Sequence, residues 1–203
     1  MGSRVKLPTE IILFKYEWGF LSSFHPAVVY LWVNAMGEVF AHEVPDCTIE
    51  TYASVEPAYQ AFKTLNAEAR KVFTLTSNPN LKPGQAKRMG AVLKDRGLER
   101  PDWKQINVGV MRELLIQKFT PSILQRKLLS TFNAKLVEGN YWHDIFWGVC
   151  MGEIDGHTCR RAPHEPVGEN ILGQLLMEVR TFFAQPQPLR QPMSLPLQPQ
   201  PPE

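Results

Sequence analysis

The chain has 203 residues, with 22 Lys plus Arg against 20 Asp plus Glu and a formal net charge of +2. At 44% hydrophobic and 10% aromatic it carries enough apolar mass for a folded core, which excludes a disordered chain. No run of about 18 apolar residues occurs, so a membrane-spanning helix is excluded. The three cysteines (Cys47, Cys150, Cys159) are too few for a disulfide framework and fit a reducing compartment. The charge is uneven. Between Lys82 and Lys135 there are 12 basic and 4 acidic residues, a net of +8, which leaves −6 elsewhere. A near-neutral total therefore does not exclude a polyanionic partner, although the same charges also suit ordinary solvated helix faces.

In chain order, residues 1–10 are expected to be a flexible end without the apolar stretch of a signal peptide, which points to the cytoplasm, or the nucleus in a eukaryotic source. Extended runs at Ile11–Tyr16 and Val28–Val33, a turn at Met36-Gly37-Glu38 and a strand at Cys47–Tyr52 follow. Helices then dominate. Met111, Leu115 and Phe119 recur at four-residue spacing. Thr120-Pro121 reads as an N-cap with proline at the first helical position, ahead of Leu124, Leu128 and Phe132. Asn170 is a candidate cap for a helix with its core stripe at Ile171, Leu172, Leu175, Leu176, Val179 and Phe183. The expected fold is mainly α, a multihelical single domain over residues 11–183 with a small N-terminal β element. Residues 184–203 hold 7 of the 17 prolines. Proline fixes φ and removes the donor that helices and ladders need. This Pro/Gln-rich tail is expected to be disordered and inert, a tail-binding partner being the lesser reading.

The most informative stretch is Ser54-Val-Glu-Pro-Ala-Tyr-Gln-Ala-Phe-Lys63. Ser54 is a candidate N-cap, and Pro57 falls in the first turn, where its missing N–H costs nothing. At about 100° per residue, Tyr59, Gln60 and Lys63 lie roughly −60°, +40° and −20° from Glu56. One face thus gathers a carboxylate, a phenol, an amide and an amine, with Ala58, Ala61 and Phe62 left for packing. The same spacing describes an ordinary exposed polar face, and it proves no site by itself. Cys150, His157, Cys159 and His164 also fall close together, but no short Cys-x2–4-Cys pair exists and the spacing matches no standard zinc module. Residues 152–166 are therefore read as a polar loop, and no metal or cofactor is expected.

From Phe14 to Arg180 the chain resembles the NADAR, or YbiA-like, family. The resemblance rests on Gly19-Phe20-Leu21-Ser22-Ser23-Phe24, on Ser54-Val55-Glu56 with Gln60 and Lys63, and on Ala86-Lys87 with Gly90. It continues through Asp102-Trp103, Met111, Lys118-Phe119, Leu136-Val137-Glu138, Asp144 and Trp147-Gly148, and it closes on Gly168-Glu169-Asn170-Ile171-Leu172-Gly173 and Leu176–Arg180. The order and spacing of these pieces, rather than any single one, are specific. Two positions depart from the pattern: Ser23 stands where the family usually has Asn, and Pro57 where it often has His.

The resemblance implies a mainly helical YbiA-like fold and hydrolysis of ribosyl N-glycosidic bonds without a metal. It further implies a lysine-dependent mechanism, placing that lysine at Lys63 with Glu56 as its acidic partner. Of the substrates it implies, the basic Lys82–Lys135 segment favours ADP-ribose on guanine bases of nucleic acid. Ribosylamino intermediates of early riboflavin synthesis are the first alternative, and a non-catalytic ADP-ribose-binding module is the second. Beyond this pair, Ser22, Ser23, Phe24, Gln60 and Gly148 are candidate substrate contacts, and the resemblance adds Asp144. Tyr59, Trp103 and Trp147 offer faces for a flat base, although buried tryptophans usually serve the core. Gly168 and Asn170 open a helix whose backbone N–H groups would suit a phosphate. Lys87, Arg88 and Arg180 are candidate phosphate cations.

Overall fold

The computed structural model describes residues 8–120, 122–154, 156–161 and 165–185. The Pro/Gln-rich tail beyond residue 185, the first seven residues, Pro121 and His164 lie outside the described residues. In chain order the elements begin with β1 (Glu10–Ile12), a 3-10 turn (Tyr16–Leu21), β2 (Val29–Val33), β3 (Val39–Phe40) and β4 (Thr48–Tyr52). Five helices follow: α1 (Val55–Phe62), α2 (Ala67–Lys71), α3 (Pro83–Asp95), α4 (Trp103–Phe119) and α5 (Ser122–Leu129). Short strands β5 (Lys135–Val137), β6 (Gly139–Asn140), β7 (Val149–Cys150), β8 (Glu153–Ile154) and β9 (His157–Thr158) precede the last helix, α6 (Ile171–Ala184).

The fold is mixed α/β with several small sheets, which corrects the expectation of a mainly helical chain with β structure at its N-terminus alone. The reason is length. Strands β5 to β9 span two or three residues each, too short for the four-to-eight-residue alternation that marks a strand in sequence. The run expected at Ile11–Tyr16 is also cut short, because Leu13 and Tyr16 adopt positive φ (85° and 51°) and turn the chain out of the extended region. None of the described helices is long and apolar enough to cross a membrane.

The described residues form two compact units, one of residues up to His25 with Phe119–Ala184, the other of Pro26–Lys118. In the second, β3-β2-β4 make an antiparallel sheet, with Val29 opposite Tyr52 and Val33 opposite Thr48. Val29 and Leu31 are buried and Tyr30 is exposed, the period-two alternation of a one-sided sheet. The turn between β2 and β3 has Gly37 at φ 82°, and Asn34 Oδ1 accepts from the N–H groups of Met36 and Glu38. Gln117 on α4 accepts from Tyr30 N and donates to the carbonyls of Tyr30 and Ala41, tying the helix to the sheet. Arg70 is 2% exposed and is held by Glu50 at 2.8 Å and by the carbonyls of Thr64 and Leu65. α1 runs on from β4 and packs against β2, β4, α2 and α3.

In the other unit, β1 pairs in parallel with β5, Ile11 lying opposite Leu136. α6 packs on β5 and on α5, and α5 also meets the 3-10 turn. The core stripe expected on α6 is largely as read: Leu172, Leu175, Leu176, Val179 and Phe183 are buried. Asn170 works differently from the expected cap. With φ at 57°, its side chain accepts from Glu138 N at 3.0 Å and donates to Leu136 O at 2.9 Å. It therefore ties the start of α6 to the end of β5.

Candidate active site

All eight residues of α1 are buried. That settles the ambiguity of its polar face, since a solvated face cannot be buried all round. Charged and amide side chains are placed inside a protein only when hydrogen-bonded or functional. Ser54 stands at the N-cap position with an extended backbone, yet its hydroxyl makes no capping bond. Pro57 occupies the first turn, where no N–H is needed.

Glu56 is 6% exposed and Gln60 4%. Gln60 Nε2 donates to Glu56 Oε1 at 2.7 Å, so the amide one turn on fixes the carboxylate. Gln60 is itself fixed by close approach of α3. A methyl group at Gly90 would overlap Gln60 Oε1 and crowd its Cβ, 2.9 Å away. Alanine for glycine in an exposed helix normally stabilises by about 1 kcal/mol. Here the sign reverses: Gly90→Ala is expected to cost about 1–3 kcal/mol through overpacking, read by chemical denaturation. Turnover of the folded variant should fall as Gln60 loses its hold on Glu56.

Lys63 follows the last residue of α1, its backbone still right-handed and its N–H turned back to Gln60 and Ala61. Arg100 N donates to the Lys63 carbonyl at 2.7 Å, which presses the turn before α4 against this residue. The Arg100 side chain closes that turn on Asp102 with bonds of 2.6 and 2.9 Å and lies over the Phe62 ring. Trp103 begins α4, and its ring sits 4.8 Å from that of Tyr59. The Lys63 amine is 5.9 Å from the Tyr59 ring centre and 5.7 Å from that of Trp103. Both rings are almost fully buried.

Burial is the largest influence on the amine and pushes its pKa below the ordinary lysine value. Glu99 and then Glu56 oppose the shift by attraction, and Lys87 reinforces it by repulsion. The outcome is an amine displaced toward its neutral, nucleophilic form, with the buried Glu56 carboxylate two turns back on the same face. Such a displacement in a buried polar cluster marks functional sites.

Glu99, Arg100 and Gly90 belong to this neighbourhood, and none was a sequence candidate for a site role. Arg100 and Lys118 belong to the basic segment in sequence, yet Arg100 is 8% exposed and Lys118 is fully buried. Only the pairing of Arg100 with Asp102 two residues on hinted at this. Lys87 and Arg88 are exposed on α3, and Lys87 is near enough to act on Lys63.

The remaining candidates lie in the other unit, where several are committed to backbone. Asp144 Oδ1 accepts from Trp147 N at 3.0 Å, and Asn140 holds both backbone groups of Asp144. Trp147 is half-buried and meets Phe146 edge-on. Gly148 packs against Glu138, and its carbonyl accepts from Asn170 N. The N–H groups of Ile171 and Leu172, expected to be open to a phosphate, donate to Phe146 O and Trp147 O at 3.1 and 3.0 Å. Gly168 lies against the Gly148 carbonyl. Arg180 donates through one nitrogen to Thr131 Oγ1 and Ala134 O. Ser22 Oγ accepts from Phe24 N, Ser23 is buried and Phe24 is 41% exposed.

The NADAR domain model matches residues 14–184 of the chain. N-glycosidase Npun_R5314 of Nostoc punctiforme is 32% identical over 133 residues, which cover 64% of this chain and 74% of that protein. The NMR structure of the E. coli protein YbiA is similar with a TM-score of 0.58 at 30% identity, covering 89% of this chain and 88% of that one.

Proposed function

The chain belongs to the NADAR family and is an N-glycosidase, and we propose that it cleaves a ribosyl C1–N bond with Lys63 as nucleophile and Glu56 as acid. The observation that carries this reading is the Lys63 amine, shifted toward neutrality by burial and within electrostatic reach of a buried carboxylate that Gln60 holds.

The steps balance as follows. The Lys63 lone pair forms a bond to C1 as the C1–N bond breaks, and the Glu56 proton passes to the departing nitrogen. The carboxylate left behind stabilises positive charge at C1 and takes a proton from the substituted amine. That proton returns to the ring oxygen as the sugar opens to an iminium on Lys63 Nζ. Water adds to the iminium carbon, the C–N bond breaks, and the free sugar leaves with the amine and the acid restored.

We assign the substrate as ADP-ribose on a guanine base of nucleic acid, DNA foremost. Lys82, Lys87, Arg88, Lys94 and Arg96 are all exposed at or on α3, the helix that packs on α1, and such a cationic helix beside the nucleophile suits a polyanion. A small ribosylamino pyrimidine would need far less charge. The test offers ADP-ribosylated DNA and a ribosylamino pyrimidine to the unaltered chain and to Lys63→Ala. Release of free ADP-ribose from the guanine bases, steeply salt-dependent and lost in the variant, is expected. Preferential turnover of the pyrimidine would overturn the substrate assignment. Turnover of neither, with ADP-ribose still bound, would overturn the enzymatic reading.

A further inference from the structure

Two thiols and an imidazole meet in the unit that does not contain Lys63. Cys150, on β7, is fully buried, and Cys159, just after β9, is 1% exposed. The β8–β9 hairpin between them folds their segments together. Cys150 is fixed by a pair of backbone bonds with Val167, and Cys159 N donates to Gly152 O. His143 Nδ1 lies 3.6 Å from Cys159 Sγ, and the three donor atoms all fall within 4.8 Å of one another.

Buried cysteines on their own are ordinary core residues that behave as small hydrophobes. The histidine sets this cluster apart. His143 adopts φ 65°, a left-handed conformation uncommon for a residue with a side chain, and it brings a ring nitrogen to the buried thiols. Zinc binds thiolate sulfur at about 2.3 Å and imidazole nitrogen at about 2.0–2.1 Å. Tetrahedral angles then separate neighbouring donors by roughly 3.5–3.8 Å. The His143–Cys159 separation falls in that interval. The sequence spacing does not show it, because the histidine comes from before the first cysteine, and His157, one of the two histidines nearest the cysteines in sequence, is exposed and stacks on Tyr141 instead.

We propose that His143, Cys150 and Cys159 form a binding site for a soft divalent cation, zinc foremost, with a water or one further donor completing the tetrahedron. Binding replaces the two thiol protons with two sulfur–metal bonds and one nitrogen–metal bond, and it releases both protons to solvent. The site is structural. It fastens the segment between His143 and Cys150, which carries Asp144, Trp147 and Gly148, to the hairpin that ends at Cys159. Its three ligands are not residues of the Lys63 cluster, and its test reads zinc and thiols rather than turnover.

The test uses the full chain, purified without a metal-affinity step and titrated with zinc alone. The expected result is one zinc per chain, release of two protons per metal in weak buffer, and binding weakened at least about 100-fold in Cys159→Ser and in His143→Ala. A chelator should lower the melting temperature of the unaltered chain and leave that of Cys159→Ser unmoved. Should the variants fail to fold, cobalt added to the unaltered chain decides. Thiolate-to-metal charge-transfer absorption with strong tetrahedral visible bands supports the site, and weak octahedral bands alone overturn it. Zinc retained in a Cys150→Ser, Cys159→Ser double variant overturns it as well. So does a chain two mass units light with only Cys47 reactive to a thiol reagent, which would mean a disulfide between Cys150 and Cys159.

Discussion

Lys63→Ala is expected to lose turnover by about 10^4-fold or more, the scale seen when a covalent nucleophile is removed, and to lose borohydride trapping at the same time. Borohydride reduces an iminium to a stable amine, so the unaltered chain under turnover should gain the mass of the reduced sugar on Lys63. An unaltered chain that turns over substrate and yields no adduct would exclude the covalent route. Stability should change little. The variant relieves the burial of an amine, but it gives up contacts with the Tyr59 and Trp103 rings that are worth roughly 0.5–1 kcal/mol.

The pH profile carries the same mechanism. The folded pKa of Lys63 lies below its unfolded value, with burial the largest cause. Activity that needs the neutral amine should therefore rise with pH through the folded pKa. Between the two pKa values the folded chain holds fewer protons than the unfolded one, so stability also rises with pH there, and the cost of burying the charge is fully present below the folded pKa. Lys87 pushes in the direction of neutrality. Lys87→Met should accordingly move the acid limb to higher pH without removing the adduct.

Glu56→Gln is expected to keep the fold and lose about 10^2–10^4-fold in kcat. The amide is nearly isosteric and still offers an oxygen to Gln60 Nε2, now 2.7 Å from the carboxylate, but it holds no proton to give the departing nitrogen. The variant separates acid catalysis from mere positioning in two ways. A substrate whose leaving group needs no proton should recover much of the lost rate. The acid limb should also move to lower pH, because one of the two carboxylates that favour the charged amine is gone. A uniform loss across leaving groups with an unmoved limb would give Glu56 a positioning role only.

The Glu56–Lys63 constellation was legible in sequence as a helical face, because spacing alone aligns positions one and two turns apart. Its burial was not. Burial depends on α3, which approaches only where Gly90 leaves room for Gln60, a relation across thirty residues that no local period records. Glu99 escaped notice for the same reason: the bond from Arg100 N to the Lys63 carbonyl brings it to the amine, and backbone bonds between distant loops have no residue signature. α4, α5, α6 and β2 are legible through their periodicity, whereas α3 is not. Strands β5 to β9 were not, being too short to show one. Asn170 was read as a cap from its residue type and position. Its left-handed backbone instead lets the side chain bond Glu138 and Leu136, a choice that sequence leaves open for asparagine.

The burial of α1 on every side bears on when the protein becomes reactive. A helix of eight residues is too short to persist by itself in water, where isolated helices below roughly 12–15 residues are marginal. Only packing against β2, β4, α2 and α3 sustains it. Before that packing exists, Lys63 is an ordinary solvated lysine, almost wholly protonated near neutral pH and inert toward sugar carbons and aldehydes alike. On the proposed mechanism the newly made chain thus carries no reactive amine, and folding itself arms Lys63.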